Sequence, residues 1–72
     1  MSNETGRILR EWREARKDTQ EEAAAIFGVT QATISNWEKG RSPMPMTALG
    51  RLENLVRRQK EAERLIRKGG ER

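Results

Sequence analysis

The chain has no cysteine, no histidine and no tyrosine, and it holds one phenylalanine and two tryptophans among 72 residues. Without cysteine there is no disulfide framework and no thiolate nucleophile, and without histidine as well the usual zinc ligands are gone. No metal and no cofactor are expected. Trp12, Phe27 and Trp37, with few β-branched runs around them, give no sheet on which single-stranded bases could stack. Long apolar runs are also missing. Met1 to Gly6 is polar, and nothing approaches the length of a signal-peptide core or a membrane span, so a soluble cytoplasmic protein is expected.

Length adds a further exclusion. A chain of 72 residues fits one domain, 1–72, with a small core that must be compact and helical or shared with a partner. An enlarged cleft for a small-molecule substrate is not expected. The carboxylates fall on helix surfaces without an enclosing pocket, so an enzyme is not expected either.

What is present is charge. Fifteen Lys and Arg against eleven Asp and Glu give a net charge of +4, which favours a polyanionic partner such as nucleic acid. The surplus is uneven: residues 1–46 hold seven bases and seven acids, whereas residues 47–72 hold eight bases and four acids. The interspersed Glu61 and Glu63 make a solvated face the ordinary reading of Arg57, Arg58, Lys60, Arg64, Arg67 and Lys68.

Apolar periodicity predicts the helices. Ile8, Leu9, Trp12 and Ala15 recur at helical spacing, so residues 5–16 read as a first helix capped by Ser2 or Thr5. Thr19 followed by Gln20, Glu21 and Glu22 is a capping box opening a second helix, which Gly28 ends. Val29 should reach the core from the turn. Thr30 caps a third helix with Ile34 and Trp37 inward and Gln31, Thr33, Ser35, Asn36 and Lys39 outward, and Gly40 stops it. Two prolines make 41–45 a loop, after which Thr47 can cap a long helix over about 47–68. The expected core is Ile8, Trp12, Phe27, Val29, Ile34, Trp37 and Leu52.

The stretch from Gln20 to Lys39 is the informative one. Helix, glycine turn and helix, with Ala24 where two helices cross closely, present the second helix outward with its polar edge first. Such a unit fits a major groove. Thr19-Gln20-Glu21-Glu22, Ala24, Phe27-Gly28-Val29-Thr30, Thr33-Ile34-Ser35 and Trp37-Glu38-Lys39-Gly40 together resemble the lambda-repressor-like, Cro/CI-type (XRE) helix-turn-helix family, over about Ile8 to Leu55.

That resemblance implies an all-α, compact four- to five-helix DNA-binding domain with a long C-terminal helix. It implies that Gln31, Ala32, Thr33 and Asn36 contact bases: glutamine and asparagine can pair with adenine, and an alanine methyl can pack on thymine. Gln20, Lys39, Arg41 and Ser42 would contact phosphates, with the Gln20 amide also bracing Gln31. Glu38 reads as a structural carboxylate, since phosphate would repel it.

Three positions depart from the family. Asp18 and Ala23 replace large aliphatic residues, and Lys17 stands where a glycine often ends the first helix. The seat between the first two helices is smaller for it, and Trp12 with Phe27 can refill it. The stretch from Gly40 to Leu52 resembles the antitoxin-type branch more than the phage repressors.

Leu52, Leu55, Gln59, Ala62 and Ile66 follow three, four, three and four apart, a short heptad-like stripe. Leu55, Gln59, Ala62 and Ile66 are the expected homodimer seam. The expected partners are therefore double-stranded DNA, a second copy of the chain and, in an antitoxin reading, a toxin.

Overall fold

A computed structural model describes residues 3–70, and side chains as far as residue 65. Among the described residues four α-helices follow one another without a strand: α1 (Glu4–Ala15), α2 (Gln20–Phe27), α3 (Gln31–Lys39) and α4 (Met46–Gly70). The expected all-α architecture with a long last helix is what forms.

The three helix ends inside the domain are built alike. After α1, the Asp18 amide donates to the Arg13 carbonyl at 3.1 Å and the Lys17 amide to Glu14 at 3.0 Å. After α2, Val29 donates to Ala24 at 2.9 Å and Gly28 to Ala25; after α3, Arg41 donates to Asn36 at 2.9 Å and Gly40 to Trp37. Each pair is a Schellman closure, which satisfies the last carbonyls and reverses the chain within one left-handed residue. Gly28 (φ 70°) and Gly40 (φ 74°) fill that position at two of the ends, and Lys17 (φ 61°) fills it at the first.

Helix starts match the sequence at α2 and α3. The Thr19 hydroxyl accepts from the Glu22 amide at 3.1 Å while the Glu22 carboxylate accepts from the Thr19 amide at 2.7 Å, a complete capping box. Thr30 accepts from the Thr33 amide at 3.2 Å. The other two starts differ from expectation. Thr5 lies inside α1, whose N-cap is Asn3; Ser2, the other expected cap, lies outside the described residues. Thr47 is not a cap either. The Pro45 carbonyl already accepts from the Leu49 amide at 2.9 Å, so α4 begins at Met46, directly after the ring that fixes the backbone angle there.

Leu9, Trp12, Ala23, Ala24, Ile34, Trp37, Met44, Ala48 and Leu52 form the buried core, and Phe27, Val29, Leu55 and Val56 pack against it. Ile8 does not belong to it. The inward face of α1 is set by Gly6, Leu9 and Trp12, so Ile8, one position out of phase, is 37% exposed, and Ala15 is exposed as well. Phe27 stands edge-on to Trp12 at 5.7 Å and to Trp37 at 6.1 Å. Each edge-to-face pair adds about 0.5–1.5 kcal/mol beyond the area it buries.

Helix α3 packs on both α1 and α2, and α4 closes against α1. Arg51 of α4 donates to the Ile26 carbonyl near the end of α2 at 3.3 Å. At about 1.5 Å per residue, α4 is about 37 Å long, longer than the 25 and 18 Å minor dimensions of the molecule. Ala62 and Glu63 still border Ala15 and Arg16 at the end of α1, and Leu65 beyond them is exposed.

Candidate nucleic-acid interface

The outward side of α3 holds the side chains that the sequence singles out. Gln31, Ala32 and Lys39 are exposed, while Thr33, Ser35 and Asn36 are half-buried along the same helix. Ile34, Trp37 and Glu38 face inward and fix which side is presented. Arg41 and Ser42, in the loop after α3, are exposed.

Gln20, at the first position of α2, is joined to Gln31, at the first position of α3. The Gln31 amide Nε2 donates to Gln20 Oε1 at 2.5 Å, and Gln20 Nε2 in turn donates to Glu38 Oε1 at 3.1 Å. Two flexible side chains are thereby held in one arrangement at the tip of the helix-turn-helix unit. Thr33 is also committed locally, its hydroxyl lying 2.9 Å from that of Thr30.

The row of bonds continues inward. Glu38, 6% exposed, accepts from Arg13 Nε at 2.7 Å and from Arg13 Nη2 at 3.0 Å, and Arg13 Nη1 donates to the Asp18 carbonyl at 3.1 Å. A paired fork of this kind is the strong form of a charged hydrogen bond. The Glu38 carboxylate holds the Arg13 guanidinium above its ordinary pKa, against a smaller opposing effect of burial. A raised pKa on a base means that its stabilisation is present throughout the neutral range and is lost only as pH climbs past the raised value.

Glu38 thus has the structural role expected of it. Its partner Arg13 was not singled out by the sequence reading, although an arginine one position beyond Trp12 and four beyond Leu9 borders the apolar face of α1, where a cation needs an acid. Asn3 was missed too. Its Nδ2 donates to the Glu38 carbonyl at 2.8 Å, so the start of α1 satisfies an end carbonyl of α3. No short-range signal in the sequence marks that contact, which spans 35 residues.

The expected dimer seam is divided. Leu55 packs against the core of its own chain, and Gln59 Nε2 donates to the Trp12 carbonyl at 3.2 Å. Ala62 is exposed, and the Ile66 side chain lies outside the described residues. Among the described residues no helix is long and apolar enough to cross a membrane, and no group of three His, Cys, Asp or Glu could hold a metal ion.

A short helix seated on two others, presenting a braced polar edge from a glycine turn, defines a helix-turn-helix DNA-binding domain. A family model described as "Helix-turn-helix" matches residues 9–55, and the chain belongs to that family, the Cro/CI-type (XRE) helix-turn-helix proteins, which are DNA-binding transcription regulators. No curated protein and no solved structure matches the chain.

Proposed function

We propose that the chain is a transcriptional repressor that binds a specific double-stranded operator as a homodimer and regulates its own promoter. The observation that carries this reading is the Gln31–Gln20–Glu38 row, which holds a potential adenine reader in place before DNA arrives. Gln31, Ala32, Thr33 and Asn36 read base edges, and Gln20, Lys39, Arg41 and Ser42 grip phosphates. The whole chain acts as one domain in the cytoplasm, without catalysis, metal, cofactor or small-molecule substrate. Occlusion of a promoter requires binding alone, and a chain of 72 residues devotes its core to presenting α3.

A two-fold dimer would set two α3 helices in successive major grooves, ~34 Å apart. Ala62 and Leu65, in the second half of α4, are both exposed in the single chain, Leu65 by 70%. The same exposure supports a second reading, an antitoxin-type protein whose C-terminal helix binds a toxin while α3 regulates the operon. A toxin gene beside this one, and a toxin that co-purifies with the chain, favour the second reading; their absence favours the first.

Fragments of DNA around the gene, offered at several salt concentrations to the wild type and to Gln31→Ala with Asn36→Ala, test the proposal. Selective binding to one fragment, lost in the double variant with little change of salt slope, supports base readout. Weak, equal binding to every fragment overturns it.

A further inference from the structure

We propose that Lys17 is an additional phosphate-gripping residue, placed at the corner between α1 and α2 beside Gln20; this rests on the DNA-binding reading above. Lys17 is the one described non-glycine residue with a positive φ, 61°, at a helix end where a glycine closes the other two. A side chain is disfavoured in that conformation, and strain of this kind persists where the side chain is needed.

The charges around it point to the need. Residues 13–22, which form the approach to Gln20, hold three bases and four acids. Two of the three bases are already committed: Arg13 to Glu38, and Arg16 to Asp18 at 2.6 Å with its guanidinium over the Trp12 ring. Lys17 is exposed and takes part in no ion pair among the described residues. Glu21 and Glu22, in the first turn of α2, would repel a phosphate arriving at Gln20, and Lys17 is the cation left to offset them.

Reach is sufficient. Three residues of chain span at most ~10 Å, and duplex DNA carries a charge about every 1.7 Å of its axis. Successive charges on one strand are about 3.4 Å of axis apart, so an exposed lysine three residues from a phosphate held by Gln20 is within range of a neighbouring one. The alternative role, a base favouring the C-terminal end of α1, would make Lys17 a stability device only.

Lys17→Gly separates the two roles by affinity and salt slope, since a stability device alone would leave both unchanged. Glycine relieves the left-handed backbone, so the midpoint of thermal unfolding should rise, while the lost phosphate contact should lower affinity and reduce the slope of log K against log salt by about 0.9. The probe is the fragment from around the gene to which the wild type binds most tightly. Lys17→Arg should keep the wild-type slope, and so should Lys60→Ala, which removes the same charge from the exposed side of α4. A slope unchanged in Lys17→Gly overturns the inference while leaving the DNA-binding reading intact. An equal loss in Lys60→Ala also overturns it, since net charge alone would then explain the effect. A wild type that binds no fragment overturns both.

Discussion

Arg13 and Glu38, 25 residues apart in the chain, meet through two hydrogen bonds of 2.7 and 3.0 Å and pin α1 to the inner side of α3. The same carboxylate receives Gln20, and Gln20 receives Gln31. One buried acid therefore fixes both the seat of α3 and the side chain at its tip. That is how so small a core holds the polar edge of α3 in one arrangement.

Breaking the pair from one side should be costly. Arg13→Met leaves Glu38, whose side chain is 5% exposed, as an uncompensated buried charge, and about 3–5 kcal/mol of stability should be lost. Arg13→Met with Glu38→Leu removes both charges and should recover most of that. Urea unfolding of the single and double variants measures the difference; a single variant within about 0.5 kcal/mol of wild type, the ordinary range of a surface substitution, would contradict the pair's role.

Two glycines inside helices should respond oppositely to alanine. A Cβ at Gly6 would run into the Trp37 and Glu38 carbonyl oxygens, where α1 approaches the end of α3, whereas nothing lies within 4 Å of one at Gly50. Gly6→Ala should destabilise by about 1–3 kcal/mol through forced displacement, outweighing the gain of up to about 1 kcal/mol from helix propensity. Gly50→Ala, exposed in α4, should stabilise by about 0.5–1 kcal/mol. Thermal unfolding of the two variants side by side checks the sign of each.

The contrast between those glycines also marks what the sequence could convey. Thr19, Glu22, Gly28, Thr30 and Gly40 bound α2 and α3 because caps and left-handed ends act within a few residues, and those bounds hold in the structure. The phase of α1 did not emerge, because Ile8, Leu9 and Trp12 are all compatible with an apolar stripe and only the packing of Gly6 against α3 selects Leu9. Glu38 was legible as a structural acid from its place on the helix. Its partner was not, since pairing across 25 residues depends on how α1 crosses α3. The same holds for Gln59, whose place in a heptad-like stripe says nothing of the Trp12 carbonyl that it meets.

The brace between Gln20 and Gln31 should appear as coupling in DNA binding. Gln20→Ala and Gln31→Ala should each weaken binding to the selected fragment by about tenfold, the loss of one well-made contact of about 1–3 kcal/mol. The double variant should lose clearly less than the product of the two, because each side chain acts through the other. Fluorescence titrations of the four proteins complete the cycle. Strictly multiplicative losses would mean that the 2.5 Å contact does not position Gln31 for reading.

The last prediction concerns the turns of α4 beyond Gln59, the last residue of that helix with a hydrogen bond to the body among the described side chains. If a second copy packs there, Ala62→Asp with Leu65→Asp places four carboxylates in a two-fold apolar contact and should dissociate it, since like charges brought together out of water repel strongly. Both positions are exposed in the single chain, so the core from Leu9 to Leu52 should be undisturbed and the helical content should stay the same. Light scattering should then give twice the chain mass of 8.3 kDa for the wild type and the single mass for the variant. Affinity for the selected fragment should fall with the loss of the second half-site, while the protein concentration dependence of binding changes from second to first order. A wild type that scatters as one chain at every concentration, with and without DNA, would remove the dimer from the proposal and leave α3 to bind as a single module.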